Sequence, residues 1–113
     1  MIVKKKKLLI VGALGALAAL VPFAEKDGWH VMVVPDWTRA ARKLATVKVA
    51  ACVSGFPNKE EPESLRSLLG EAKWVILDVL SSRDHVAAAR SMGAQAIFFV
   101  GHVTPGALLK SLV

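Results

Sequence analysis

Five short apolar runs, separated by longer stretches with helical periodicity, constrain the fold of this sequence more than any other feature. Each run is almost continuously hydrophobic, as a strand must be when both of its faces are buried in a parallel sheet. The predicted strands cover residues 7–11, 30–34, 48–53, 74–78 and 96–100. Strict alternation of such strands with helices predicts an α/β fold, a doubly wound parallel sheet with right-handed crossovers.

Helix-capping residues mark the connections between these strands. Asp36 is a good N-cap for the second helix, and Pro105 follows Thr104, the cap residue of the last helix. The fourth helix starts after a cap at Ser81 or Ser82. Helices are therefore predicted over residues 14–26, 37–46, 62–70, from the serine cap to 92, and 105–112. A chain of 113 residues with this pattern is expected to form one domain over residues 1–113.

The N-terminal segment allows a second interpretation. Four lysines at residues 4–7 precede an apolar stretch, which is the order found in a signal peptide or membrane anchor. Pro22 interrupts that stretch, and Gly12 and Gly15 lie where a strand would give way to a helix. We therefore expect the segment to belong to the fold and the protein to be cytoplasmic, without membrane contact; export or anchoring is the alternative. The lone Cys52 suits a reducing compartment and is expected in the core.

The charge gives little evidence for a nucleic-acid partner. The formal net charge is +6, but the lysine run at residues 4–7 supplies four of the 15 basic residues. Aromatic residues are few and are not interleaved with the basic ones, so no base-stacking surface is predicted. We expect no direct binding of nucleic acid.

Ligands of doubly wound sheets bind at the carboxyl ends of the strands. There, Gly12 and Gly15 follow the first strand, as glycines do in phosphate-binding loops, but the complete dinucleotide motif is missing. The three histidines, His30, His85 and His102, do not have the spacing of metal ligands. We predict no cofactor, metal or catalytic residue. A flavodoxin-like domain that binds a small ligand or a nucleotide is the alternative function.

Several local motifs together resemble one known family. They include a polar, acidic helix start, an alanine-rich helix that ends in Gly-Ala, and a Thr-Pro pair that opens the last helix. The matching segments are residues 27–29, Pro57, 82–94, 96–100 and 104–105. In their order and spacing over the whole chain, they resemble response-regulator receiver domains. The resemblance implies a flavodoxin-like (βα)5 sandwich with strand order 2-1-3-4-5.

The resemblance also places the family's phosphorylation site on residues that cannot serve it. An active receiver uses an acidic pair, a carboxylate nucleophile, a hydroxyl and a lysine, because phosphoryl transfer needs a hard cation and a positive group around the equatorial oxygens. The matching positions are Gly12 and Ala13 for the acidic pair, Val53 for the nucleophile, Val100 for the lysine, and Asp78 near the hydroxyl. The chain is therefore predicted to be a pseudo-receiver that is not phosphorylated and is not an enzyme.

A pseudo-receiver implies a function that depends on protein contacts. In the family, the interaction face combines the fourth helix, the fifth strand and the fifth helix. The resemblance thus implies a protein partner or output domain, or a homodimer, in bacterial two-component signalling. The face is mildly basic, which suits an acidic partner. Its predicted residues are Arg83, His85, Arg90, Gln95, His102 and Lys110. We interpret Asp78 as an ordinary hydrogen-bonded loop residue, and Trp29, Trp37 and Trp74 as packing residues.

Overall fold

A computed structural model describes residues 6–12, 15–57, 65–79 and 83–112. Five strands form one all-parallel sheet in the order β2-β1-β3-β4-β5, so the predicted fold class and strand order are confirmed. The strands are β1 Lys7–Val11, β2 His30–Val34, β3 Ala51–Ser54, β4 Lys73–Asp78 and β5 Ala96–Phe99. The helices are α1 Gly15–Ala18, α2 Leu20–Lys26, α3 Trp37–Leu44, α4 Leu65–Leu69, α5 Arg83–Met92 and α6 Pro105–Lys110.

Strand β1 lies inside the sheet, between β2 and β3. Its residues Leu8, Leu9 and Ile10 are completely buried, and Leu17 and Leu20 of the helices that follow are buried as well. The described part of the N-terminal segment therefore belongs to the sheet and its covering helices, rather than to a separate leader. Within the described residues, no helix has the length and apolar character needed to cross a membrane.

Alternation along the strands divides the core into two layers, because successive side chains point to opposite faces of a sheet. Leu8, Ile10 and Val53 pack on one face, beneath α1, α2 and α6. Cys52 and Trp74 pack on the other, beneath α3, α4 and α5. Both faces of the sheet are thus covered, which explains why its strands read as continuous apolar runs.

The three tryptophans pack as predicted. Trp29, Trp37 and Trp74 are each at most 4% exposed. The rings of Trp37 and Trp74 meet edge to face, with centroids 5.7 Å apart and an interplanar angle of 79°. This contact joins α3 to β4 across the second layer of the core, in the geometry that aromatic pairs favour.

Several predicted bounds differ from the structure by one or a few residues, and two of these differences have identifiable reasons. The first predicted helix is split at Ala19 into α1 and α2. Pro22 has no N–H to donate to the carbonyl of Ala18, so the regular helical hydrogen-bond ladder is interrupted at this point. Strand β3 starts at Ala51 instead of residue 48, because pairing with β1 starts with the hydrogen bond from the N–H of Ala50 to the carbonyl of Lys7 (2.9 Å), and Lys48 lies exposed before it. The predicted caps Ser81 and Ser82 and the predicted helix start at residue 62 lie outside the described residues.

Arg66 joins three chain segments where α4 and α5 end and β4 begins. Its guanidinium donates hydrogen bonds to the carbonyl oxygens of Gly70 (2.7 Å), Gly93 (3.3 Å) and Ala72. Gly93 has φ +92°, and a Cβ at this residue would lie 2.7 Å from the Cδ of Arg66. A glycine is therefore needed both for the backbone conformation and for the close approach of the arginine.

Candidate functional site

The carboxyl ends of β1, β3, β4 and β5 form one edge of the sheet, which is where ligands bind in doubly wound folds. Pairing continues one residue past several strands. The N–H of Gly55 donates to the carbonyl of Val11 (3.2 Å), and the N–H of Val100 donates to that of Asp78 (2.8 Å). We call this edge the carboxyl edge. Backbone hydrogen bonds therefore tie the residues that follow β3 and β5 to the neighbouring strands.

Asp78 is the last residue of β4 and is buried, with 5% of its surface exposed. One carboxylate oxygen accepts a hydrogen bond from the N–H of Val79 (2.8 Å). The other contacts Nδ1 of His85, in the first turn of α5. Asp78 is thus hydrogen-bonded, as predicted, but it is buried at the end of β4 and does not lie in a loop. A buried carboxylate needs such partners to offset the loss of water.

His85 is held by a second contact as well. The ring of Phe56, from the segment after β3, stacks on the imidazole with centroids 3.8 Å apart and planes inclined by 9°. Asp78, His85 and Phe56 thus connect the ends of β3 and β4 to the start of α5. We call these three side chains the latch. The resemblance places His85 on the interaction face; in the structure this residue is half-buried, and its Nδ1 contacts Asp78 at the carboxyl edge.

Ser54, the last residue of β3, makes a buried hydrogen bond that the sequence did not indicate. Its hydroxyl oxygen accepts from Nε1 of Trp74 at 2.9 Å, and both residues are fully buried. The hydroxyl therefore satisfies an indole N–H that would otherwise be stranded in the core. A serine without solvent access and with its oxygen engaged in this way is a packing residue rather than a nucleophile.

Gly12, which the resemblance matches to the first residue of an acidic pair, has a backbone suited to glycine. Its φ is +135°, and a Cβ would lie 2.8 Å from Cδ1 of Leu17. Its N–H donates to the carbonyl of Val34 at 2.9 Å, which ties the residue to β2. An aspartate here would meet both backbone strain and a steric clash. Ala13, the second predicted position, lies outside the described residues.

The other two matched positions occupy different surroundings. Val53 has no exposed surface and packs in the apolar layer with Ile10 and Val75. Val100 is 39% exposed and lies on the wall of a small cavity of about 160 Å³ between α1, α2 and the start of α6. The described residues that line this cavity are alanine, leucine, valine, glycine, proline and one threonine, and none of them is charged. Its lining does not favour the alternative of a bound nucleotide.

Among the described residues of the carboxyl edge, the latch offers the clearest site chemistry. An imidazole oriented by a carboxylate can serve as a base or as a metal ligand. Within the part of the chain that the structure describes, no three histidine, cysteine, aspartate or glutamate side chains lie close enough together to hold a metal ion. The predicted histidines are dispersed: His30 begins β2, and His102 follows β5.

Most of the residues that the resemblance places on the interaction face are exposed. Arg83, Arg90, His102 and Lys110 are exposed. Gln95 is exposed too, but its side-chain amide donates to the carbonyl of Ser111 at 2.6 Å and so ties the start of β5 to the end of α6.

Between α5 and β5 lies a groove of about 300 Å³. Val86, Arg90, Gln95, Ile97 and Phe99 are among the residues that line it. Among the described strands, β5 pairs only with β4, and all four of its residues are half-buried. The α5–β5–α6 face therefore combines an edge strand of the sheet with apolar side chains and positive charge.

No family model and no curated protein matches the sequence. Among solved structures, it is similar to a response regulator from Burkholderia pseudomallei, crystallised with a phosphorylated aspartic acid, calcium and citrate. The identity is 16%, the coverage 96% of this chain and 67% of that one, and the TM-score 0.82. A receiver-domain protein from Methanospirillum hungatei is 18% identical, with a coverage of 95% of this chain and 90% of that one and a TM-score of 0.80. A response regulator from Thermotoga maritima is 19% identical, with a coverage of 95% of this chain and 93% of that one and a TM-score of 0.80. The chain thus has the fold of response-regulator receiver domains.

Proposed function

We propose that residues 1–113 form a receiver-like domain that is not phosphorylated and that works by binding a protein partner or output domain. The receiver fold supports a role in two-component signalling. We further propose that the domain is not an enzyme, needs no cofactor, and acts in the bacterial cytoplasm. The proposal rests above all on the surroundings of Val53, the position that the resemblance matches to the phosphorylated carboxylate.

Two observations support the loss of phosphorylation. Val53 lies in the closed apolar layer of the core, where no solvent reaches it. Gly12 has a positive φ and a close contact with Leu17, both of which disfavour an acidic side chain. Phosphoryl transfer to a protein carboxylate needs an accessible oxygen nucleophile and a metal held by neighbouring oxygen ligands. Neither requirement is met by these residues.

The latch suggests how such a domain stays in one state. Asp78 at the end of β4 is bound to His85 of α5, and Phe56 covers the imidazole from the segment after β3. The pair is costly to break, because separation removes one of the hydrogen-bond partners of a buried carboxylate. We therefore propose that the latch holds α5 in a fixed position.

The α5–β5–α6 face is the surface that we assign to the partner. Its edge strand offers unpaired backbone groups, and the groove beside it offers apolar contact. Arg90 contributes positive charge at the groove itself, and Lys110 lies at the end of α6. Apolar contact at the centre with charge at the rim is the usual composition of a protein interface. The charge favours an acidic partner or an acidic surface of a second copy.

An amide NMR spectrum tests the loss of phosphorylation. The intact chain is recorded alone and then with Mg²⁺ and beryllofluoride, a phosphoryl mimic, beside a receiver that carries the acidic residues as the positive control. We expect the control to shift and this chain to keep its spectrum. Specific shifts at Gly12, Ser54, Asp78 and His102 would overturn the proposal, because they would locate an anion at the carboxyl edge.

A matched pair of charge reversals tests the partner surface. Arg90→Glu alters the groove, whereas Lys26→Glu makes the same change of charge at an exposed residue of α2 outside it. We expect proteins captured from a bacterial lysate by the wild type to be retained by Lys26→Glu and lost with Arg90→Glu. Sedimentation velocity on the same three proteins tests a second copy as the partner. Identical capture and identical sedimentation for all three would reject this face.

A further inference from the structure

Basic residues gather at the opposite edge of the sheet, where the strands begin. Lys7 is the first residue of β1 and pairs in register with His30, the first residue of β2. Lys73 begins β4, Lys6 precedes β1, and Lys48 lies shortly before β3. We call this the amino edge. Parallel pairing alone brings these residues to one edge, although they are distant in sequence.

Two neighbouring grooves open at the amino edge. The lysine groove, of about 440 Å³, is lined by Lys6, Lys7 and residues 46–50. The leucine groove, of about 560 Å³, is lined by residues 44–50 and 68–72. The segment 46–50 lines both, so the two grooves adjoin each other. One has a basic rim and the other has leucine and alanine walls.

No carboxylate among the residues that the structure describes forms an ion pair with the lysines of the lysine groove. Among the described residues, the ion pairs are Arg39 with Asp36 and His85 with Asp78, and neither lies at the amino edge. Lys6 and Lys48 are exposed. The one described carboxylate that lines either groove is Glu71, in the leucine groove. Positive charges gathered without partners attract an anion and orient its approach.

We propose that the amino edge binds an acidic segment of a partner protein. Carboxylates of the segment lie in the lysine groove, next to Lys6, Lys7 and Lys48, and its apolar side chains lie against the leucine groove. A nucleic acid or a lipid headgroup would engage the charges alone, and the described residues of the grooves include no aromatic ring for a base to stack on. A peptide with both carboxylates and leucines matches both grooves.

This surface is separate from the one proposed above. None of the residues lining the two grooves belongs to α5, β5 or α6. The domain would then have two docking surfaces, one on the α5–β5–α6 face and one at the amino edge. Binding at the amino edge does not depend on phosphorylation or on Arg90, so either proposal can fail without the other.

The test uses two synthetic peptides and the intact chain. One peptide alternates aspartate and glutamate with leucine; the control has asparagine and glutamine in place of the acidic residues. In a titration followed by amide NMR, we expect the acidic peptide to shift Lys6, Lys7 and residues 46–50, and the control to bind at least about tenfold more weakly. Raising the salt from about 50 to about 300 mM should weaken the acidic peptide several-fold, because exposed charges are screened.

Matched variants locate the site. We expect Lys48→Glu to weaken the acidic peptide about five- to tenfold and Lys26→Glu to leave its affinity unchanged, since Lys26 is exposed outside both grooves. Equal effects of the two reversals, equal binding of the two peptides, or no shifts at residues 46–50 would overturn the proposal. Tighter, Lys48-dependent binding of duplex DNA or of anionic vesicles would replace the acidic segment with a different polyanion.

Discussion

Charged side chains have different surroundings at the carboxyl edge and at the amino edge of the sheet. At the carboxyl edge, Asp78 is buried and is compensated by His85 and a backbone N–H. At the amino edge, Lys6 and Lys48 face solvent without an ion pair to any described carboxylate. A charge that the fold compensates contributes to structure, whereas a charge left in solvent stays available to a partner. We therefore call the carboxyl edge, where the charge of Asp78 is compensated, the closed edge, and the amino edge, where the lysines stay in solvent, the open edge.

Arg66 is the exception at the amino edge, because its three hydrogen bonds are all internal, and it provides the largest expected effect. Arg66→Met should lower the free energy of unfolding by about 2–3 kcal/mol, since three carbonyl groups lose a charged donor at a half-buried site. Lys48→Met, at the same edge but exposed, should change it by less than about 0.5 kcal/mol. Urea unfolding at neutral pH measures both. Equal losses for the two variants would mean that Arg66 is only another solvated charge of the amino edge.

The latch at the carboxyl edge should contribute slightly less. We expect His85→Ala to cost about 2 kcal/mol and Asp78→Ala a similar amount, because each removes the side-chain hydrogen bond between a buried carboxylate and an imidazole. The double variant should cost less than the sum of the two, by at least about 1 kcal/mol. A double-mutant cycle in urea gives this coupling energy. Additive losses would show that the two residues stabilise the edge independently, and that the carboxyl edge is not closed by their contact.

The sequence contained enough information for the sheet but not for the latch. Apolar runs such as residues 30–34 and 74–78 predict buried parallel strands, because burial on both faces requires hydrophobic residues throughout. The split of the first helix could have been predicted from Pro22. The contact of Asp78 with His85 could not, because it depends on where α5 begins relative to the end of β4. The only signal was the seven-residue separation of an acid and a histidine across a strand-to-helix turn.

A similar limit applies to Ser54 and Trp74. A serine next to a glycine after an apolar run is typical of a loop, and only the register of β3 against β4 places its hydroxyl near the indole N–H. The lysines of the amino edge show the opposite case. Each was visible in the sequence, but Lys48 joins Lys6 and Lys7 at one groove only because the strands are parallel and adjacent.

Ser54→Ala tests the closed edge one layer deeper. Removal of the hydroxyl leaves the Nε1–H of Trp74 without a partner in the core, so we expect a loss of about 1.5 kcal/mol. The matched change Ser91→Ala, at an exposed hydroxyl that donates to the carbonyl of Ala87, should cost about 0.5 kcal/mol or less. Thermal unfolding compares the two. A smaller effect for Ser54 than for Ser91 would show that the buried hydrogen bond adds nothing to the carboxyl edge.

Cys52 lies in β3, between the carboxyl edge and the amino edge, and its thiol is buried. The titration of this thiol measures whether water reaches the core between the two edges. Burial raises the pKa of its thiol far above the ordinary value, and the positive charge of Arg66 opposes this only in part. The folded protein therefore keeps the proton at a pH where the unfolded chain loses it, so stability declines as the pH rises above about 8.5. The free energy of unfolding should fall more steeply than that of Cys52→Ala, by up to about 1.4 kcal/mol per pH unit. If the free energies of unfolding of the wild type and of Cys52→Ala run parallel between pH values of about 8 and about 10, water reaches the thiol in the folded protein. The core between the two edges would then be accessible to solvent.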